Sequence, residues 1–325
     1  MTIMHASSEI TLKNQIDHFL IRWGYRRGEH RVEPGLYALG NPGKESPVFV
    51  TANYTLSFDA LRSALKGTDC YMLILDTFGI NVWCAAGKGT FGTEELIRRI
   101  EATGLKDIVS HRKVILPQLG APGVRSVEVT KRTGFRIEYG PVKASDLPEY
   151  LKTYKATPAM RRVRFPLWDR IVLIPVELVS IVLPAIVVTA LVFLGLGWLS
   201  ALGLVTAVLA GTVLFPVLLP YLPTKDYSTK GLLLGFVLSL PFVAYQLANQ
   251  PSGEWQTYAS VLTFLLVMPP VTAYLALNFT GATPYPSRTG VRKEIYTYIP
   301  AMAVMLVPGI LLAAVLTALS LLEAL

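Results

Sequence analysis

From residue 171 onward the chain is almost entirely apolar. Five apolar segments stand out, at about 171–194, 198–220, 231–249, 257–279 and 300–322. Each is close to the roughly 20 residues a helix needs to cross the hydrocarbon core of a bilayer. A backbone in lipid must satisfy its own polar groups, so these segments are expected to be helices. The loops between them alternate in charge. "RRVRF" (161–165), "TKDYSTK" (224–230) and "SRTGVRKE" (287–294) carry Lys and Arg, whereas "GLGW" (195–198) and "NQPSGEW" (249–255) carry neither. The positive-inside rule then predicts a multi-pass protein of the cell (inner) membrane, with the N-terminal domain cytoplasmic and the C-terminus outside. Prolines 184, 216, 241, 269, 270 and 308 fall inside these segments and predict kinks.

The apolar half carries Lys225, Lys230, Arg288, Arg292 and Lys293 against Glu177, Asp226, Glu254, Glu294 and Glu323, so the net charge of +8 belongs wholly to the first half. A basic domain beside a membrane fits an anionic lipid surface. No basic helix or aromatic RNA-binding signature points to nucleic acid. Two domains follow, residues 1–165 and 166–325. Within the expected spans only Glu177 is an ionisable residue well inside the apolar core, and no Cys or His follows Cys84 and His111. Anchoring is therefore favoured over transport, and Met268, Met302 and Met305 read as packing or lipid-facing residues. The opening "MTIMHASSEITLKNQIDHFL" lacks the uninterrupted apolar core of a signal peptide.

In the first half, strand-like and helix-like runs alternate. "PVFVT" (47–51) precedes "SFDALRSAL" (57–65), and "YMLILD" (71–76) precedes "GTEELIRRIEATG" (92–104). "KVILPQ" (113–118) and "FRIEYGP" (135–141) follow, the latter before "SDLPEYLKTY" (145–154). The pattern predicts a parallel sheet with helices on its faces. Ligands of such sheets bind beyond the carboxyl ends of the strands. The loops there, "TANYT" (51–55), "TFGINVWCAAGKGTFG" (77–92), "LGAPGV" (119–124) and "YGPVKA" (139–144), are rich in small and turn-forming residues. They are expected to let a large flat ligand approach the backbone. No Gly-x-Gly-x-x-Gly directly follows a strand, the match at 87–92 lying well beyond the run 71–76, which disfavours a dinucleotide.

"NVWCAAGK" (81–88) concentrates the chemistry. Asn81 is a good N-cap and predicts a short helix from Val82. Cys84 then falls in the first turn with Lys88 one turn on, and both a helix N-terminus and a nearby cation favour a thiolate. Ala85, Ala86 and Gly87 remove bulk around the sulfur. A thiolate on such a low-relief surface suits a soft metal ion held in a flat macrocycle. A buried structural cysteine is an equal alternative on these features alone.

The same eight residues resemble the cap-helix signature of the HgcA family, the membrane corrinoid proteins of the mercury-methylation pair. "VTANYTLSFDALR" (50–62), "GTFGTEEL" (89–96), "HRKVILPQLGAPGV" (111–124) and "TGFRIEYGPV" (133–142) resemble that family too. They resemble less closely the corrinoid-binding domain of the corrinoid iron–sulfur protein large subunit. The resemblance covers about residues 35–180, and the five spans match the family's layout. It implies an α/β Rossmann-like corrinoid-binding domain followed by an all-α transmembrane domain of five helices. It implies a cobalamin-type corrinoid, with Cys84 as lower axial ligand to cobalt and catalytic residue. Contacts would come from Thr51, Asn53, Gln118, Gly120 and the cap residues Asn81, Val82, Trp83, Cys84, Ala85, Ala86, Gly87 and Lys88. Asn81 would hold the cap helix in place. The implied activity is that of a methyltransferase in an anaerobe, passing a methyl group from cobalt to Hg(II) to give methylmercury. The thiolate would favour release of the methyl group with its bonding electrons or as a radical. The implied partners are a methylated folate-type donor system and a ferredoxin-like protein of HgcB type with two [4Fe–4S] clusters. With Cys70 and Cys84 its only cysteines, this chain is expected to carry no iron–sulfur cluster of its own. A membrane-anchored methyl carrier of one-carbon metabolism with a different acceptor is the alternative.

Other residues read more plainly. Trp83 fits helix packing, and Lys88 either tunes the thiolate or is solvated. Cys70 is a passive thiol just before a strand. His111 is an exposed helix-end residue, and His5, His18 and His30 lack metal-ligand spacing.

Overall fold

The computed structural model describes residues 3–251, 253–283 and 287–323. The chain divides into two compact units, Met1–Arg164 and Phe165–Leu325.

In chain order the first unit comprises β1 (Met4–Ala6), α1 (Leu12–Arg22), β2 (Gly35–Leu39), β3 (Val48–Ala52), α2 (Thr55–Ala64) and β4 (Cys70–Leu75). There follow α3 (Val82–Lys88), α4 (Thr93–Ala102), the single turn α5 (Leu105–Ile108), β5 (Lys113–Leu116), α6 (Ser126–Thr133), β6 (Arg136–Tyr139) and α7 (Leu147–Thr153). A 3-10 segment, Gln118–Gly123, leads out of β5.

The sheet order is β1-β2-β4-β3-β5-β6. The four strands expected from the apolar runs pair in parallel, β4 with β3, β3 with β5 and β5 with β6. The sheet as a whole is mixed rather than parallel, because β2 runs antiparallel to β4 and β1 pairs in parallel with β2. The loop 40–47 that joins β2 to β3 holds no crossover helix, which a parallel connection needs. β2 is buried along its whole length.

Alternation along β3 separates two cores. Val48, Val50 and Ala52 join Leu73, Leu75, Val114 and Leu116 under α3 and α4, while Phe49 joins Phe58, Leu61, Ile115 and Tyr150 under α2 and α7. The chain leaves β3 toward β4 on one side and returns to β5 on the other. The crevice beyond the carboxyl ends of β3 and β5 is therefore the topological switch point of the sheet.

The second unit contains α8 (Leu167–Ile171), α9 (Ile174–Leu209), α10 (Phe215–Leu218), α11 (Tyr227–Asn249), α12 (Trp255–Asn278) and α13 (Arg288–Glu323). Among the described residues four helical stretches are long and apolar enough to cross a membrane: Leu167–Leu218, Tyr227–Asn249, Trp255–Ala282 and Thr289–Leu322. The first two expected segments fall in one stretch, so the count by length is four rather than five. Within α9 the break in helical backbone lies at Gly197 (φ 80°, ψ −178°), not at Pro184. Positive φ is open to glycine because it has no Cβ. Leu178, Ile181 and Phe193 before the break line one groove with Ala201, Val205 and Leu209 after it. The two arms therefore fold against each other. Small residues bring α11 and α12 together: a Cβ on Gly231 would lie 2.5 Å from Ala273 Cα, and one on Gly235 2.6 Å from Pro269 Cα.

Candidate functional site

The loop Asp76–Asn81 carries the chain from β4 to α3, and Asn53 holds it. The Asn53 side chain is buried just beyond β3. Its Oδ1 accepts the backbone N–H groups of Thr77 and Gly79, each at 3.0 Å, and its Nδ2 donates to Asp76 Oδ1 at 3.1 Å. Thr77 Oγ1 donates to Ile80 O at 2.7 Å, and Phe78 N donates to Asp76 Oδ1 at 3.1 Å. Asp76 N in turn donates to Glu95 Oε1 (2.8 Å), and Glu95 pairs with Arg99 (2.9 Å). This network fixes a reversal in which Phe78 (φ 57°) and Gly79 (φ 71°) both take left-handed backbone. Such conformations persist when their surroundings over-determine them.

The helix begins as the sequence predicts. Asn81 is extended (φ −63°, ψ 159°), and its Oδ1 accepts the N–H of Cys84 at 2.9 Å. Gly89 (φ 87°) ends the helix after two turns. Val82, Ala85 and Ala86 form the buried face, in contact with the core under α4. Trp83 and Cys84 are half-buried on the remaining surface, and Gly87 and Lys88 are exposed beside them. Cys84 thus does not face the core, in contrast to Cys70, which opens β4, is fully buried and has its thiol pushed up to about 12 by burial and by Asp69.

Glycines seat α3 against the turn after β5. A Cβ on Gly123 would lie 2.2 Å from Phe91 O and 3.0 Å from Ala86 Cα. One on Gly120 would lie 2.5 Å from the Phe91 ring, and one on Gly92 2.5 Å from Gly89 O. These three positions serve internal packing, where the sequence had suggested open space for a ligand. Gln118 opens the turn, and its Oε1 accepts Arg161 Nη1 at 2.6 Å. Thr51 is buried and pairs with Ile74. It alternates with Val50 and Ala52, so its side chain lies on the α2 side of the sheet, opposite the face under α3.

Of the residues singled out in the sequence, the structure brings Asn53, Asn81, Gly120 and the whole of α3 to one edge. It engages the carboxamides of Asn53 and Gln118 within the protein and directs Thr51 to the other face. His111 is half-buried in the loop before β5, with Nε2 2.8 Å from Ser46 O, rather than at an exposed helix end. His30 meets Asp17 at 2.6 Å and His18 meets Asp59 at 2.7 Å.

Two residues around Cys84 and Tyr54 carry no motif. Burial raises the Tyr54 phenol above its ordinary pKa. Arg27, which hydrogen-bonds it, and Arg22 pull the other way, while the Cys84 thiol adds to the rise. Tyr54 therefore lies near Cys84, and Arg27 reaches Tyr54. The loop "TANYT" marks Tyr54 in the sequence, but Arg27 comes from a distant turn and has no local signal. Among the described residues no three His, Cys, Asp or Glu side chains converge as metal ligands. The arrangement offers one outward thiol on a rigid, small-residue helix, at the switch point of an α/β sheet.

Part of the chain, including the site, is similar to known proteins. Residues 24–151 match the family described as the CO dehydrogenase/acetyl-CoA synthase delta subunit. Over 128 residues the chain is 36% identical to the gamma subunit of the acetyl-CoA decarbonylase/synthase complex of Methanopyrus kandleri, a match covering 39% of this chain and 27% of that one. The corresponding subunit of Methanocaldococcus jannaschii is 35% identical over 128 residues, 39% of this chain and 26% of its own. That of Archaeoglobus fulgidus is 32% identical over 124 residues, 38% and 26% respectively. The chain thus spans about a quarter of the length of the curated relatives it matches. The family match includes β2 to β6 and the site; α1 and the helical unit lie outside it.

Proposed function

We propose that the first unit binds a corrinoid against α3, where the Cys84 sulfur would hold the cobalt, and passes a methyl group to Hg(II). The observation that carries this reading is the outward, half-buried Cys84 on a capped helix of small residues. The donor set fits: a metal already held by a macrocycle needs one soft protein ligand, and a thiolate is a strong soft donor. The corrinoid would supply a cobalt centre able to accept and release a methyl group.

The chain's own residues prepare that chemistry. Asn81 fixes the first turn of α3 and so the direction of the sulfur. Asn53 holds the loop from which α3 starts. Ala85, Ala86 and Gly87 keep the surface around the sulfur low. Lys88 lies exposed one turn on from Cys84. With the corrinoid bound, the Cys84 sulfur would be a strong donor to the metal, chemistry suited to handing a methyl group to an electrophile such as Hg(II). A ferredoxin-like protein with two [4Fe–4S] clusters would restore the reducing state, and a methylated folate-type donor would supply the methyl group.

The second unit would hold this site at the cytoplasmic face of the cell membrane through five crossings. A straight stretch from Leu167 to Leu218 would measure about 78 Å at 1.5 Å per residue, against a hydrocarbon core of about 30 Å. Folding back at Gly197 makes it two crossings, in keeping with the charge alternation of the loops.

The alternative reading is a membrane-anchored methyl carrier with another acceptor, and the kinship with acetyl-CoA decarbonylase/synthase subunits favours it. A single-turnover experiment separates the two. The full chain is loaded with methyl-corrinoid without oxygen and in the dark, and Hg(II) is added. The expected result is methylmercury formed faster than with free cofactor, with the acceleration lost in Cys84→Ala. The visible spectrum of the bound corrinoid should also change in Cys84→Ala. A spectrum unchanged by Cys84→Ala would refute ligation by Cys84. A changed spectrum with no acceleration would leave the carrier reading.

A further inference from the structure

Helix α1 presents an apolar face to solvent. Leu12, Ile16, Phe19 and Trp23 are 71%, 53%, 59% and 42% exposed. At about 100° per residue they fall within about 60° of arc, one stripe along the helix. Ile21, on the opposite side, is 1% exposed and packs into the core. The stripe is held outward rather than left loose. Thr11 and Asn14 form a capping box at the start of α1, and His18 Nε2 lies 2.7 Å from Asp59 Oδ2 on α2. Asp59 is itself fixed by Arg62 at 2.6 Å. The rings of Phe19 and Trp23 stand 5.8 Å apart, and Tyr25, just beyond, is also exposed.

The flanks of the stripe are cationic. Lys13 lies on one side and Arg22 on the other, with Gln15 the other polar residue on this outer half. Arg26 and Arg27 follow beyond Trp23, Arg26 paired at 3.5 Å with Glu29. The acid of α1, Asp17, turns the other way and meets His30 at 2.6 Å. An apolar stripe edged by Lys and Arg, with Trp and Tyr at one end, has the chemistry of a helix lying in a membrane interface. The remaining net charge agrees, since all +8 of it lies in the first half of the chain.

We infer that α1 is an interfacial helix, which seats its stripe in an anionic lipid leaflet with Lys13 and Arg22 at the phosphates. The inference rests on reading the second unit as membrane-spanning. One short amphipathic helix binds lipid only weakly, and stable attachment takes a second signal. The apolar helices supply that signal by keeping the lipid surface at high effective concentration. Both features lie outside residues 24–151, the segment that matches the family model. Arg22 and Arg27 also face Tyr54, the neighbour of Cys84. A seated α1 would thus hold the Cys84 edge in a fixed relation to the lipid surface.

The test uses the full chain in nanodiscs of phosphatidylcholine, with or without phosphatidylglycerol, whose acyl chains are brominated near the headgroup. The Trp23 contribution is the difference in emission between the parent and Trp23→Phe. The expected result is a blue-shifted Trp23 emission that brominated lipid quenches in anionic discs, less so at high salt. Ile16→Asp with Phe19→Asp should abolish both effects; both sites are exposed, so the fold is kept. Trp23 emission that is unquenched in anionic discs would overturn the inference. So would a stripe that is buried only when a ferredoxin-like protein is added, which would make it a protein docking face. Alkaline carbonate extraction gives the separate control. Release of the chain from membranes would defeat the spanning reading and this inference with it. A retained chain with unquenched Trp23 would defeat the inference alone.

Discussion

Asn53→Ala should unseat α3 without touching it. The substitution removes the oxygen that accepts Thr77 N and Gly79 N and the nitrogen that donates to Asp76. A buried polar group that loses its partner costs about 1–3 kcal/mol. Two buried backbone N–H groups lose this acceptor, so a local loss of about 3 kcal/mol is expected. At about 1.4 kcal/mol per factor of ten, that is a hundredfold or so faster opening of the loop. Hydrogen exchange of the full chain in detergent reads it directly. The amides of Thr77, Gly79 and Cys84 should exchange about a hundredfold faster, while those of β3 and β4 keep most of their protection. Asn53→Asp gives the complementary test. It retains the acceptor for both amides but sets a second carboxylate beside Asp76, so protection should return as the pH falls and one of the two carboxyls is protonated. Exchange at Thr77 and Cys84 that is unchanged in Asn53→Ala would refute the claim that this side chain holds the loop.

Gly123→Ala should disturb the same helix from its other side. The new Cβ meets backbone atoms, Phe91 O at 2.2 Å and Ala86 Cα at 3.0 Å, which cannot swing aside. A cost of about 1–3 kcal/mol is expected, with a lower melting temperature of the first unit and weaker corrinoid binding. An unchanged melting temperature would contradict it. The two thiols should also separate chemically. In the folded chain at mildly alkaline pH, iodoacetamide should label Cys84, whereas Cys70 reacts only after unfolding. Because burial raises the Cys70 thiol to about 12, the folded state keeps a proton that the unfolded chain releases near its ordinary value. The stabilisation from that proton is complete below about 8.5 and is lost as the pH rises toward 12, with a slope of up to about 1.4 kcal/mol per pH unit. Unfolding of Cys70→Ala across that range should show a shallower decline, and an identical decline would refute the assignment.

Strands β3, β4 and β5 were legible because each is a short apolar run buried on both faces, and the capped helix because Asn81 acts on the Cys84 amide three residues away. Both are local signals. β2 was not, although "GLYAL" is fully buried: its place and direction come from pairing with β4 across the long separation of Gly35 from Ile74. The same distinction runs through the site. The glycines at 92, 120 and 123 signal close approach in the sequence, but the approaching group is Phe91 and α3 itself. Asn53 belongs to the candidate site in both readings, yet its contribution is to hold the loop that carries α3, which no motif around residue 53 encodes. Arg27 reaches Tyr54, beside Cys84, from the turn after α1, so even the electrostatic surroundings of the thiol depend on a segment outside the recognisable motif. The sulfur is chosen by eight local residues, but its direction is set by Asn53 beyond β3 and by the turn after β5. A change in either should alter the site while leaving "NVWCAAGK" intact.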